Sequence, residues 1–203
     1  MKVGTPLLSC GHSISDCSSQ SLGTIARAGC NLQAVVASSP VTTEPRSGCP
    51  INAAVEVFGD RWTLIVLRDI VFGDRRYFRE LLSSSEEGIA SNILADRLKR
   101  LTDAGLLTRE NTRSGQRARY SLTEPAVQLI PVFAQLGSWG LRHRPTSHQL
   151  RVRAELLERG GPELWEQFMV ELRHEHLGTE PPAETPSVRE QLHAAYLAAV
   201  NQP

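Results

Sequence analysis

Apolar positions recur at helical spacing along residues 50–143 and again along 150–200, whereas residues 1–47 show no sustained period. Ile51, Ala54, Val55 and Phe58 share one face of a helix that opens at Pro50, where proline suits the first turn. Gly59-Asp60 ends it, and Asp60 is placed to cap the next. Residues 61–72 carry Trp62, Leu64, Ile65, Leu67 and Ile70 so densely that they read as the central core helix, with Gly73 as terminator. A short helix over 77–82 and a turn over 83–88 precede a fourth helix from Ser91 to Ala104, capped by Ser91 or Ser85 and closed by Gly105. Two runs of alternating character, 106–111 and 117–123, flank Arg113-Ser114-Gly115-Gln116, a hairpin signal. Thr123 is placed to cap a helix over 124–143 that carries Val127, Ile130, Val132, Phe133, Leu136 and Trp139 and bends at Pro131. Helices over 150–159, 162–177 and 187–200 follow, separated by Gly160-Gly161 and a proline-rich linker.

Helices followed by a tight hairpin, in this order, predict a winged helix-turn-helix, and the fold class is mainly α with a small β-hairpin. Three parts are expected. Residues 1–47 are rich in Ser, Gly, Thr and Cys and form a disordered tail. Residues 48–144 form the winged helix-turn-helix domain, which also dimerises, and residues 145–203 form a C-terminal helical extension.

Charge sharpens this picture. The chain has no net charge, but residues 61–119 hold 12 Arg and Lys against 8 Asp and Glu, and residues 145–203 hold 5 against 9. A basic segment within a neutral chain fits phosphate contact and does not fit a non-specific polycation. Cys10, Cys17, Cys30 and Cys49 match no zinc spacing, and a reducing cytoplasm is their expected setting. No apolar run approaches the ~18 residues of a membrane span, and Leu7-Leu8 before Cys10 is too short for a secretory core.

The candidate chemistry lies on the fourth helix and the hairpin. At 100° per residue, Leu94, Leu98, Leu101 and Gly105 fall within about 60° and pack inward. The other side opens with Ser91, Asn92 and Ile93, suited to base edges: asparagine pairs with adenine, and an apolar side chain meets the thymine methyl. Lys99 suits phosphate, and Asp96 fits beside DNA only if it pairs with Arg100 or a cytosine amino group. Arg109, Arg113, Arg117 and Arg119 face only Glu110 in the hairpin, where clustered like charge needs a reason other than folding. Arg75, Arg76 and Arg79 flank the short third helix and suit backbone phosphates or pairing with Asp74 or Glu80. The expected partner is double-stranded DNA. The alternative is a winged helix used for protein–protein or RNA contact. No nucleophile–base set, phosphate loop or metal set is present, so neither an enzyme nor a cofactor is expected. His143, His148, His174 and His176 read as polar-face residues.

The chain resembles the HxlR-type (MarR-like) winged helix-turn-helix transcriptional regulators. The resemblance rests on Cys49-Pro50, Gly59-Asp60-Arg61-Trp62-Thr63-Leu64, Arg76-Tyr77-Phe78-Arg79-Glu80-Leu81, Gly88-Ile89-Ala90-Ser91-Asn92 and Tyr120-Ser121-Leu122-Thr123-Glu124, over about residues 48–143. It implies a homodimeric repressor or activator of the bacterial cytoplasm and nucleoid, acting on a pseudo-palindromic operator. Residues 50–58 and 124–143 would form the dimer interface, with Phe133 and Trp139 as candidates. It also implies a small-molecule or oxidant effector, with Cys49 as candidate redox sensor, since a helix N-terminus favours thiolate.

Overall fold

The computed structural model describes residues 46–110, 117–181 and 186–201. The expectation of a disordered tail falls, apart from its last two residues, outside the described residues, as do Cys10, Cys17, Cys30 and Arg113. The elements run α1 (Pro50–Phe58), α2 (Thr63–Gly73), α3 (Phe78–Ser83), α4 (Ser91–Asp103), β1 (Leu107–Glu110), β2 (Arg119–Leu122), α5 (Glu124–Val127), α6 (Ile130–His143), α7 (His148–Leu177) and α8 (Val188–Val200).

Helix α2 is the centre. Val66, Leu67, Ile70 and Val71 are buried, and around them close Leu81 of α3, Leu94, Leu98 and Leu101 of α4, and Leu107 and Leu122 of the hairpin. Asp60 holds the start of α2 as expected: its carboxylate accepts from Trp62 N (2.7 Å) and Thr63 N (3.0 Å). Burial pushes this carboxyl up, but Thr63, Trp62 and Arg97 outweigh it and hold it below its usual value. At the other end Gly73 stays helical, and Asp74 takes the left-handed position at φ 46°. Aspartate tolerates that conformation better than most side chains.

Several expected caps are placed differently. Neither Ser85 nor Ser91 caps α4. That position belongs to Ala90, while the Ser85 hydroxyl accepts from Ile89 N at 3.1 Å. Thr123 does take the expected N-cap position, ahead of α5, but through its backbone, whose carbonyl accepts from Val127 N (3.0 Å), while its hydroxyl donates to the Gly105 carbonyl (2.7 Å) and so ties the hairpin to the end of α4. Residues 124–143 form two helices, not one bent helix, with Pro131 in the first turn of α6. Proline lacks the N–H that a continuous helix needs there, whereas a first turn leaves that N–H unpaired anyway.

The hairpin is antiparallel, pairing Leu107 with Leu122 and Glu110 with Arg119, and Tyr77 bridges to Arg119 on the other edge. β1 departs from the expected alternation, with Leu107 buried and Thr108, Arg109 and Glu110 all exposed. β2 departs in the opposite sense: Tyr120, Ser121 and Leu122 are all buried. The C-terminal half of α7 causes this, because Leu122 N donates to His176 Nδ1 at 3.2 Å and Arg76 reaches both Ser121 and the Glu175 carbonyl.

Helix α7 breaks at Gly161 (φ 59°, ψ −160°), as Gly160-Gly161 predicts. Only glycine adopts that backbone without strain. Leu157, Phe168 and Leu172 of α7 and Val188 and Leu192 of α8 enter the same core as α2. Polar ties reinforce them. Arg173 meets Glu124 of α5 at 2.9 Å, and Arg189 of α8 donates to the Val71 carbonyl at 2.8 Å and to Glu175 at 2.5 Å. The Glu171 carboxylate accepts from Ser187 Oγ (2.6 Å) and Val188 N (2.8 Å) at the start of α8, where negative charge is favoured.

Candidate nucleic-acid interface

Helix α4 turns Leu94, Leu98 and Leu101 into the core and leaves Ser91, Asn92, Ala95, Asp96, Lys99, Arg100 and Asp103 exposed, with Ile93 half-buried. Its charges pair along the helix: Lys99 with Asp103 (2.5 Å) and Arg100 with Asp96 (3.0 Å). Exposed i,i+4 pairs stabilise by only about 0.3–0.5 kcal/mol, so an approaching phosphate takes over such a cation at little cost. Arg97, which periodicity does not single out, holds α4 against the start of α2 through Asp60 (3.3 Å) and is largely buried.

Around this helix, Arg79 of α3 is exposed, as are Arg109 of β1 and Arg117, while Arg119 is half-buried at the start of β2. The hairpin tip with Arg113 lies outside the described residues.

Arg76 corrects one expectation. It is 5% exposed and does not face outward. Its guanidinium donates to the Tyr120 carbonyl (3.2 Å), the Ser121 hydroxyl and the Glu175 carbonyl (3.2 Å), joining the hairpin to α7. A buried guanidinium needs such acceptors, and with each of its three nitrogens so engaged and turned inward Arg76 does not present itself to a phosphate. Phe133 is a second correction. It packs edge-to-face on Phe72 at 5.8 Å, inside the protomer, because α6 turns that side toward α2. The outward side of α6 is Val132 (45% exposed), Leu136 (47%) and Trp139 (53%). Helix α1 buries no side chain, and Ile51 is 74% exposed. Cys49 occupies the N-cap position of α1 and is exposed.

Of the four histidines read as polar-face residues, His176 is half-buried. Burial, then Arg76, Arg189 and Arg119, push its pKa from 6.5 to about 3. The folded state therefore holds it neutral, and the stability this contributes is complete above pH 6.5 and lost as pH falls toward 3. At pH 5 the loss is roughly 2 kcal/mol. Urea unfolding at pH 7.5 and 5.0 should show a larger fall for wild type than for His176→Gln, and equal falls would refute this role. His176, Asp74 and Glu175 offer ligand atoms within 4.8 Å of one another. Arg189 already holds the Glu175 carboxylate, and the surrounding arginines oppose a cation.

Among the described residues, no helix is long and apolar enough to cross a membrane. Residues 57–148 match the family model described as HxlR-like helix-turn-helix. An uncharacterized HTH-type transcriptional regulator of Mycobacterium tuberculosis strain H37Rv is 36% identical over 99 residues, which is 48% of this chain and 61% of that protein. The uncharacterized HTH-type transcriptional regulator YdeP of Bacillus subtilis is 29% identical over 100 residues, 48% of this chain and 75% of its own length. The reduced form of the transcriptional regulator YodB from B. subtilis is similar at 26% identity, covering 48% of this chain and 95% of that one, with a TM-score of 0.40. The match thus spans about three fifths of the length of the mycobacterial relatives. It takes in α2 to α6, and on this ground residues 57–148, somewhat under half of the chain, are an HxlR-like helix-turn-helix segment.

Proposed function

We propose that this protein is a sequence-specific, non-catalytic regulator of transcription, most simply a repressor, which binds duplex DNA as a homodimer on the nucleoid, in the cytoplasm. The observation that carries the reading is α4: a helix-turn-helix second helix whose outward face opens with Ser91, Asn92 and Ile93 and continues to Lys99, beside a hairpin with exposed Arg109 and Arg117. In this reading α4 enters the major groove, Arg79 and Lys99 meet phosphates on one flank, and Arg113, Arg117 and Arg119 meet backbone or minor groove on the other. Residues 48–144 form the DNA-binding and dimerising unit, and residues 145–203 brace it.

The dimer is supported by α1 and α6. A nine-residue helix without a buried side chain does not persist in water on its own, and the apolar face of α6 likewise lacks a cover. A two-fold axis pairing these helices would place two copies of α4 on half-sites about one helical turn apart.

Site selection from genomic DNA followed by titration in increasing salt tests the reading. Arg113→Ala with Arg117→Ala should weaken binding to every sequence and reduce the salt slope by about 2. Asn92→Ala should lower discrimination at one base position by ~1–3 kcal/mol. Retained affinity and slope in the double variant would remove the hairpin from the interface, and stronger binding to RNA or to a protein would point to the other use of the fold.

Responsiveness to oxidants would act through Cys49, at the start of the uncovered helix α1. Diamide should weaken DNA binding by wild type and spare Cys49→Ser; an equal response in both excludes the thiol.

A further inference from the structure

A two-stranded hairpin has little stability of its own in water, so its angle to the rest of a protein is set by whatever holds its strands. Among the described residues the sheet consists of β1 and β2 alone. β1 leaves Thr108, Arg109 and Glu110 exposed, and the hold on the hairpin therefore falls to β2. Tyr120 N donates to the Arg76 carbonyl at 2.9 Å. The Arg76 guanidinium donates to the Tyr120 carbonyl and the Ser121 hydroxyl on the hairpin side, and to the Glu175 carbonyl on the α7 side. Leu122 N donates to His176 Nδ1 at 3.2 Å.

The last link depends on one ring. With Nδ1 accepting, the proton of a neutral His176 sits on Nε2, which is buried and has no hydrogen-bond partner among the described residues. A buried donor left unpaired costs stability, so what the ring contributes is its acceptor at Nδ1. The end of α7 is itself fixed. Arg189 of α8 holds the Glu175 carboxylate at 2.5 Å and donates to the Val71 carbonyl of α2 at 2.8 Å. The hairpin is thus referred, through α7 and α8, to the same α2 against which α4 packs. Register carries this outward: Leu122 stands opposite Leu107, and Tyr120 opposite Arg109. A shift of β2 on α7 therefore moves Arg109, and it moves Arg117, two residues ahead of β2, as well.

We propose that His176, together with Arg76, is a positioning residue for DNA binding: the last turn of α7 sets the angle at which the hairpin presents Arg109 and Arg117 to the duplex. This rests on the reading of the hairpin as a DNA contact. Glu175 and His176 lie beyond the family match, so the aim of the hairpin is set by a part of this chain outside the helix-turn-helix segment.

Fluorescence anisotropy on the selected site, with the full chain at several salt concentrations, tests it as a cycle of variants. His176→Leu removes the acceptor and should weaken DNA binding roughly tenfold and reduce the salt slope by about 2. His176→Asn, close to leucine in size but with an oxygen where Nδ1 was, should recover most of both. Ser121→Ala, which loosens the Arg76 link from the hairpin side, should give a smaller loss in the same sense. In a background carrying Arg109→Ala and Arg117→Ala, none of these substitutions should have much further effect, because the side chains they aim are gone. Circular dichroism melts establish that each variant folds at the temperature of the titration. A folded His176→Leu that keeps full affinity, a loss of equal size in both backgrounds, or no recovery in His176→Asn would overturn the proposal. Should His176→Leu fail to fold, the comparison of Ser121→Ala in the two backgrounds decides it. The arginine substitutions alone report on the underlying reading. If they leave affinity unchanged, the hairpin does not touch DNA and the proposal falls with it.

Discussion

Leu136→Glu combined with Trp139→Glu is expected to yield a folded monomer whose affinity for its DNA site drops by a factor on the order of 10²–10⁴. Both side chains are about half exposed in the protomer, so the new carboxylates meet water and cost little folding energy. In a two-fold dimer the same residues would meet their own copies, and four buried carboxylates would face one another without cations to match them. The loss of DNA affinity is large because each copy of α4 reads one half-site. Once the two are no longer tethered, the second half-site is filled only at the concentration of free protein. Light scattering and fluorescence anisotropy on the selected site measure the two effects. A dimer that survives both substitutions would show that α6 is not the interface, and a wild-type chain that is monomeric at micromolar concentration would remove the dimer from the proposal.

The second large effect is on stability. Phe168→Ala should destabilise the protein by about 3–5 kcal/mol. The ring is fully buried and lies 5.6 Å from Phe72 at 29°, with the Arg189 guanidinium 5.8 Å from its centre. Phe72 in turn meets Phe133, so three aromatic rings run from α7 through α2 to α6. Truncation at one end leaves a cavity that rigid helices close only in part. Leu177→Ala, at an exposed position of the same helix, should change stability by less than about 0.5 kcal/mol. Urea unfolding followed by two probes distinguishes the outcomes. A loss below about 1 kcal/mol, or an early transition of the C-terminal helices alone, would mean that they do not share one cooperative core with α2.

What could be read from the sequence follows local rules. The inward side of α4, the turn at Gly105, the hairpin and the break at Gly161 each depend on residues within a few positions of one another, and the structure has them. The departures depend on distant partners. Arg76 looked like a phosphate ligand because nothing nearby reveals that its acceptors are Tyr120, Ser121 and Glu175, the last 99 residues away. The double burial of β2 and the inward ring of His176 have the same origin, since both require α7 to fold back on the hairpin. On α6, periodicity gave one apolar helix and could not divide its positions between two surfaces. Phe133 therefore looked equivalent to Trp139, although only the latter faces outward. Arg97 carried a weak signal, a cation among the polar positions of α4 with Asp60 as a distant capping residue, and spacing alone could not connect them.

The contacts of Arg76 and Leu122 with α7 also bear on how such a chain can change over generations. Both residues lie inside the family segment, yet the Arg76 Nη1 and Leu122 N donors find their acceptors at Glu175 and His176, outside it. A descendant that shed α7 would strand buried donors at the base of its own hairpin, and one that altered position 76 alone would loosen the helix that covers it. In this chain, then, a change at position 76 and a change in the last turns of α7 are not independent, because each leaves buried polar groups of the other without a partner.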